Sequence, residues 1–328
     1  MERVGVTYLE NVRARQKPKT AGEYERLWQK HIVPALGRRP VAEVDVSEIR
    51  RLHNALAATP YLANRLLAVL SAFFTFARRE GWRPDNPARD ESLDRYPEAS
   101  RERFLSPAEV TKLGEALTRA ETVGLPPAPE LRKPAPTKRP QNRPKSADVP
   151  NPANPHAVAA LRLLLLTGCR EGEIRTLRWD AVDLERGFLR LADTKTGRSV
   201  RPLGAAAAEL LSGVRKVHRS PYVFPGLRPS VPLRSLKRLW HAVRFAAGLP
   251  DVRLHDLRHS FASFSAIGGD SLLVTRALLG HRTVSSTSRY AHLSDDPVRA
   301  AVDRVAGDLA SLLRGQKTDV TPIRKGRA

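Results

Sequence analysis

Between Tyr24 and Ala77 the apolar side chains return every three or four residues. Tyr24, Leu27, Trp28 and Ile32 form one such set, Ile49, Leu52 and Leu56 a second, and Leu66, Leu70, Phe73, Phe74 and Ala77 a third. A strand would need strict alternation, so this period restricts the segment to amphipathic helices that must bury one face each. Thr20-x-x-Glu23 reads as a capping box for the first set, which Pro34 and Gly37 close. Ser47 reads as the start of the second set, and the third runs from about Tyr61 to Glu80, with Gly81 as its C-terminal cap. With a short helix near Tyr8–Arg15, the expectation is a four-helix domain over residues 1–97.

Residues 82–104 carry Pro84, Pro87 and Pro97 among charges and read as a linker, with the interdomain boundary placed at residues 98–105. Ser106-Pro107-Ala108-Glu109 opens a second domain, expected over residues 106–313, with a cap residue, a first-turn proline and an early glutamate. Residues 121–155 read as a flexible insertion. Ten of the chain's 26 prolines lie in residues 125–155, and Leu131 to Ala147 holds six basic residues and no acidic one. Two readings stay open for it, an arm that touches nucleic acid nonspecifically and a tolerated surface loop.

Beyond the insertion, Ala157 to Thr167 predicts a buried helix ended by Gly168. Phe188–Ala192 and Ser199–Pro202 predict strands around the turn Asp193-Thr194-Lys195-Thr196-Gly197-Arg198. Helices are expected near Ala205–Lys216, Leu233–Ala247, Asp256–Ala266, Ser271–Leu279, Val284–His292 and Pro297–Leu313, followed by a basic tail over residues 314–328. The fold class is therefore mainly α, with a small antiparallel β-sheet in the second domain.

The formal net charge of +22, with arginine outnumbering lysine 44 to 12, suits a polyanionic partner, because the guanidinium fork matches phosphate oxygens. A single cysteine, Cys169, excludes an internal disulfide and a cysteine-based zinc site. The start of the chain leads into no apolar run. The most apolar stretch, Ala157 to Leu166, is interrupted by Arg162 and is shorter than the roughly 20 residues a membrane span needs. A cytoplasmic protein without a membrane partner is expected.

Five features of the second domain carry chemistry: Thr167-Gly168-Cys169-Arg170-Glu171-Gly172-Glu173, Lys195 in the hairpin turn, His255-Asp256-Leu257-Arg258-His259, Leu279-Gly280-His281, and Tyr290. Singly, each has an ordinary structural reading. Together, two arginines, two histidines, a lysine and a tyrosine supply what metal-free attack on a phosphodiester requires. Guanidinium forks neutralise the nonbridging oxygens, the tyrosine needs a cationic site or a base because its usual pKa is about 10, and the leaving oxygen needs a proton. The sequence contains neither a carboxylate cluster like that of a two-metal nuclease nor a Gly-x-x-x-x-Gly-Lys-Ser/Thr loop, so no cofactor, metal or ATP is expected.

The ordered set Arg170, Lys195, His255-x-x-Arg258, His281 and Tyr290, with the local words LLLTGCREGEI, TKTG, HDLRHSFAS and ALLGHRTVSSTSRYAH, resembles the tyrosine recombinase (phage integrase) family. The likeness extends over essentially the whole chain. Residues 4–97 resemble the helical, SAM-like core-binding domain of such enzymes, and the second domain resembles the DNA breaking-rejoining catalytic fold. The resemblance implies that Tyr290 attacks the scissile phosphate to form a 3′-phosphotyrosyl link and release a 5′-hydroxyl. It implies that Arg170, Arg258 and His281 hold the phosphate, that His255 is the general base and that Lys195 protonates the leaving oxygen. Glu173 either orients Arg170 or is a plain helix-face carboxylate. The implied partners are double-stranded DNA, gripped by a clamp of the two domains, a homotetramer on two DNA duplexes, and at some sites accessory DNA-bending proteins. The helix expected at Pro297–Leu313, with Val298, Ala301, Val302, Val305, Leu309 and Leu312 on one face, is either a docking element for a neighbouring subunit or packed in its own domain.

Two departures from the family pattern stand out: the insertion, and Ser260 where threonine is frequent. No arm-binding domain is expected before the first helix, which fits either an enzyme of simple core sites or a shortened relic. The leading reading is an integrase. The alternatives are a chromosome-dimer or transposon resolvase with the same chemistry, and a catalytically silent DNA-binding prophage remnant. Charge supports an active site in one place, since residues 186–282 hold 17 basic against 5 acidic groups, while residues 1–97 hold 17 against 12.

Overall fold

The computed structural model describes residues 1–98, 102–131, 151–194 and 197–280 and the single positions 287 and 290. The chain divides into two units, Met1–Arg101 and Glu102–Ala328. Residues 132–150 of the insertion, Lys195, His281, the remainder of Val284–His292, the expected helix Pro297–Leu313 and the basic tail lie outside the described residues.

The first unit is built from helices, followed by an irregular stretch from residue 82. Its helices are α1 (Glu2–Arg15), α2 (Pro18–Leu27), α3 (Val33–Leu36), α4 (Val46–Asn54) and α5 (Pro60–Arg79). Between α2 and α3 the chain passes through one widened turn, Trp28–Ile32. Pro34 has no N–H to give the carbonyl four residues earlier, which accounts for the relaxation of the ladder just before it. The core is aromatic: the rings of Trp28 and Phe73 lie 4.7 Å apart, and Tyr8 meets Phe73 edge-on at 5.4 Å. Each such ring withdrawn from water contributes on the order of 1.5–3 kcal/mol. Gly5 sits against the Trp28 indole with no room for a side chain.

Two helix starts differ from the sequence reading. Helix α2 begins at Pro18 without a side-chain cap, so Thr20 already lies inside its first turn. Proline's fixed φ and missing donor suit that first position and displace the Thr20–Glu23 box. Helix α4 is capped by Asp45, whose carboxylate accepts from the Glu48 amide while the Glu48 carboxylate accepts from the Asp45 amide, and Ser47 donates to Asp45 instead of starting the helix.

The stretch from residue 82 to 98 is not a loose linker. Arg83 is buried, donates to the carbonyls of Val41 and Val44 at 2.9 and 3.0 Å and lies over the Phe74 ring. Asn64 of α5 receives the Tyr96 amide at 3.0 Å and donates to the Tyr96 carbonyl at 2.8 Å. Prolines here forbid helix but not packing, because side chains on the folded helices satisfy the irregular backbone.

In the second unit, α6 (Pro107–Thr122) starts at the expected cap Ser106, and the structure adds a reciprocal pair, the Ser106 hydroxyl accepting from the Glu109 amide and the Glu109 carboxylate accepting from the Ser106 amide. Next come α7 (Pro155–Thr167), α8 (Glu171–Arg175), β1 (Val182–Asp183), β2 (Phe188–Thr194), β3 (Gly197–Pro202), α9 (Ala205–Gly213), α10 (Lys237–Ala246), α11 (Asp256–Ile267) and α12 (Leu272–Leu279). Helix α7 is the centre of the core, with Val158, Ala160, Leu161, Leu163 and Leu164 all buried, and both α6 and α11 pack on it.

The sheet is antiparallel in the order β1-β2-β3, with Leu189 opposite Arg201. β1 has only two residues, too few to show a period in the sequence. Helix α10 starts at Lys237, later than expected, and the Leu233 amide is engaged with the Phe224 carbonyl at 3.0 Å. Ser260 ties the segment before α6 to α11: its hydroxyl accepts from the Leu105 amide at 2.8 Å and donates to the Asp256 carbonyl at 2.8 Å.

Candidate active site

Two helix ends build the site. Helix α7 stops at Gly168 (φ +59°), in a left-handed turn where a β-carbon would strike the Phe261 ring. The chain leaves this turn extended and begins α8 at once, so Arg170 becomes the N-cap of that helix. Glu173 then folds back on it. One carboxylate oxygen accepts the Arg170 amide at 2.9 Å and the other accepts its guanidinium at 2.8 Å. The Glu173 side chain is 5% exposed and that of Arg170 24%, so a buried carboxylate aims a partly open guanidinium.

Helix α12 ends in the same manner at Gly280 (φ +57°). Arg258, which is buried, spans the two helix ends. Its guanidinium donates to the Gly168 carbonyl at 2.5 Å and to the Leu279 carbonyl at 2.9 Å. Burial, with Arg170 and Arg201 nearby, pushes the Arg258 guanidinium down to about 10, which still leaves it charged at neutral pH. His255, the cap residue of α11, stands on the same face and presents a surface to solvent. Partial desolvation, followed by the field of Arg258, lowers its imidazole below the usual range and favours the neutral form. His255 and Arg258 line one small pocket with Leu164, Cys169, Glu171 and Leu254. Cys169 is buried and its thiol is pushed up by desolvation, so it takes no part as a thiolate.

Tyr290 is buried against Ala262, Ala266 and Leu279. Its hydroxyl lies 2.6 Å from Nδ1 of His259. The histidine on the tyrosine hydroxyl is thus His259 and not His255, whose ring instead meets that of His259 edge-on at 4.9 Å. The structure therefore brings together Arg170, Glu173, His255 and Arg258, with Tyr290 packed against helix α11 from outside it. Lys195 and His281 fall outside the described residues.

Two residues escaped the sequence reading. His259 follows His255 by four and Arg258 by one, and helical spacing puts residues i, i+3 and i+4 on one face. That signal was present in the sequence. Arg201 gave none. On β3, Val200 is 60% exposed while Arg201 is 1% exposed, the reverse of what hydropathy dictates. The Arg201 guanidinium fills the space beside Gly280, and its Nε and Nη2 find no hydrogen-bond partner among the described residues. Desolvation lowers its pKa, opposed by the field of Glu173 and reinforced by that of Arg170. Three guanidinium groups thus surround one carboxylate, and the cluster carries a net positive charge suited to a phosphodiester.

A mainly helical unit that sets an Arg–Glu pair beside a His-x-x-Arg helix face, with a tyrosine hydroxyl on the next histidine of that helix, defines the class of tyrosine-type site-specific DNA recombinases. The model described as the phage integrase family matches residues 144–296, and that of the phage integrase central domain matches residues 1–92. The chain belongs to the phage integrase family.

It is 33% identical to a shufflon-specific DNA recombinase of Escherichia coli over 133 residues, which is 40% of this chain and 33% of that one. It is 26% identical to the tyrosine recombinase XerD of Haemophilus ducreyi over 246 residues, which is 70% of this chain and 71% of that one. The chain therefore spans a third of the first relative's length and about seven-tenths of the second's. Among solved structures it is similar to a lambda integrase dimer bound to a COC′ core site, with a TM-score of 0.66, 20% identity and 99% of both chains covered. It is also similar to the Tn1549 transposon integrase in complex with circular intermediate DNA, with a TM-score of 0.64, 18% identity and coverage of 90% of this chain and 97% of that one. At these identities the structural likeness shows the fold.

Proposed function

We propose that this recombinase cuts and rejoins duplex DNA at the cluster around α11 through a 3′-phosphotyrosyl intermediate. The observation that carries the reading is the placement of Arg258, His255 and the Tyr290 hydroxyl along one helix, with Arg170 aimed by Glu173 from the neighbouring helix start. In this reading Arg170 and Arg258 hold the nonbridging oxygens of the scissile phosphate, where negative charge concentrates in the transition state. Tyr290 attacks phosphorus and the bond to the 5′ oxygen breaks. Lys195 protonates that oxygen, His281 adds a donor to the phosphate, and His255, whose neutral form its surroundings favour, stands beside Arg258 in the pocket as a hydrogen-bonding neighbour of the phosphate. The phosphotyrosyl link keeps the energy of the phosphodiester, so rejoining needs no external energy source.

The same reading extends to assembly. A relative of this fold has been seen as a tetramer bound to a Holliday junction, and we take a homotetramer on two duplexes as the working form of this chain. Integration, excision, inversion and resolution then differ in the arrangement of DNA sites and not in the chemistry of this cluster.

The test uses a nicked duplex carrying the sequence that the protein itself selects from a randomised duplex pool. Wild type should leave an adduct that survives SDS, and Tyr290→Phe should bind the same duplex without forming one. Tight binding with no wild-type adduct would overturn the assignment of activity. An adduct from Tyr290→Phe would overturn the assignment of the nucleophile.

A further inference from the structure

We infer that His259 is a catalytic residue of the cleavage step, holding the Tyr290 hydroxyl and taking its proton. The inference rests on the function proposed above and goes beyond it by naming the proton acceptor. The Tyr290 hydroxyl lies 2.6 Å from His259 Nδ1, a short contact for an O–H···N bond. With the phenol donating, Nδ1 is the acceptor and Nε2 carries the ring's proton.

Position supports the chemistry. His259 directly follows Arg258, and His255, Arg258 and His259 occupy positions i, i+3 and i+4 of one helical face. The acceptor of the nucleophile's hydrogen bond is therefore anchored to the same turn of helix as the guanidinium proposed to hold the phosphate. The backbone of that turn is fixed from behind, because the Ser263 hydroxyl donates to the His259 carbonyl at 3.0 Å and the Ser260 hydroxyl donates to the Asp256 carbonyl. The ring of His255 also meets that of His259 edge-on. Tyr290 itself packs on Ala262 and Ala266, one and two turns further along the helix, so its ring reaches back toward His259. A phenol is a weak nucleophile until it is deprotonated, and an imidazole nitrogen in hydrogen-bond contact supplies the missing base.

The step balances. As the bond from the Tyr290 oxygen to phosphorus forms, the phenolic proton passes to His259 Nδ1, and the bond from phosphorus to the 5′ oxygen breaks. The leaving oxygen takes its proton from a separate general acid, assigned above to Lys195. In the reverse step the imidazolium of His259 returns the proton to the departing tyrosine.

The division of labour between the two ends of the reaction gives the test. Cleavage is timed by single-turnover adduct formation on the selected duplex, made either with ordinary phosphate or with a 5′-bridging phosphorothiolate, whose sulfur leaves without a proton. His259→Ala should slow cleavage about 100-fold or more on both substrates with duplex binding unchanged. Lys195→Ala should be slow on the ordinary substrate and recover on the phosphorothiolate. His259→Asn, which keeps a polar atom near the Nδ1 position but no titrating nitrogen, guards against simple misfolding and should remain slow.

Rapid cleavage by His259→Ala, full rate in His259→Asn, or recovery of either on the phosphorothiolate would overturn the inference. Failure of the proposed function itself would appear separately, as the absence of any adduct from wild type.

Discussion

The guanidinium of Arg201 occupies the place where a side chain on Gly280 would stand. A buried strand arginine and a left-handed glycine thereby fix the course of the chain at the end of α12, one residue before His281.

Gly280→Ala should be destabilised by about 2–4 kcal/mol, from the left-handed backbone together with overpacking. Adding Arg201→Ala should return part of that loss, with a coupling of at least about 1 kcal/mol in a double-mutant cycle measured by urea unfolding. Additive effects would show that the two residues do not contend for the same space.

Arg258→Lys should fail on two counts. A single ammonium cannot copy a fork that reaches the carbonyls of Gly168 and Leu279 together. A loss of roughly 1–3 kcal/mol in stability is expected from the unsatisfied carbonyl, with adduct formation falling far more than duplex binding. A lysine variant of wild-type stability would show that the bridge carries no structural weight.

The acid limb of stability should depend on Glu109. Its carboxylate accepts from the Arg103 guanidinium at 2.6 and 3.0 Å and from the Ser106 amide, and the hydrogen bonds to Arg103 lead in lowering it from 4.5 to about 2. A carboxyl depressed in the folded state stabilises above its unfolded value and loses that contribution as pH falls through the window from 4.5 to 2. The full contribution is at most roughly 3 kcal/mol. Glu109→Gln should flatten the pH dependence of unfolding across that window and match wild type at its acid end. An unchanged acid limb would contradict this.

Asn64→Ala should loosen residues 90–98 without melting the first unit. Asn64 holds the Tyr96 amide and carbonyl and also donates to the Glu98 carboxylate. A loss of about 1–3 kcal/mol is expected, together with faster proteolysis in that segment. Unaltered cleavage there would show that other contacts suffice.

Much of this was legible in the sequence because it rests on spacing. The third set of apolar residues marked α5 to within one residue at each end, and Ser106, Pro107 and Glu109 marked the start of α6, since local rules govern both. His255-x-x-Arg258 was legible for the same reason. What stayed hidden depends on distant partners. The anchoring of residues 82–98 follows from Asn64 and from the carbonyls of Val41 and Val44, far away in the chain. Val200 and Arg201 exchange their expected faces because the cluster of Arg170, Glu173 and Arg258 lies on the inner side of β3, and no local preference records that. His259 lay one residue beyond the pair that was read, and only the position of Tyr290 gives it a role.

The bridge made by Arg258 bears on how chains of this kind decay. Because that arginine closes two helix ends, selection for a folded protein alone would retain it after catalysis had ceased to matter. Tyr290 is under no such protection. Exchange of its ring for phenylalanine keeps the packing on Ala262, Ala266 and Leu279 and removes only the hydroxyl. In a lineage losing the reaction, position 290 would drift before position 258, so the tyrosine is the better marker of a working enzyme.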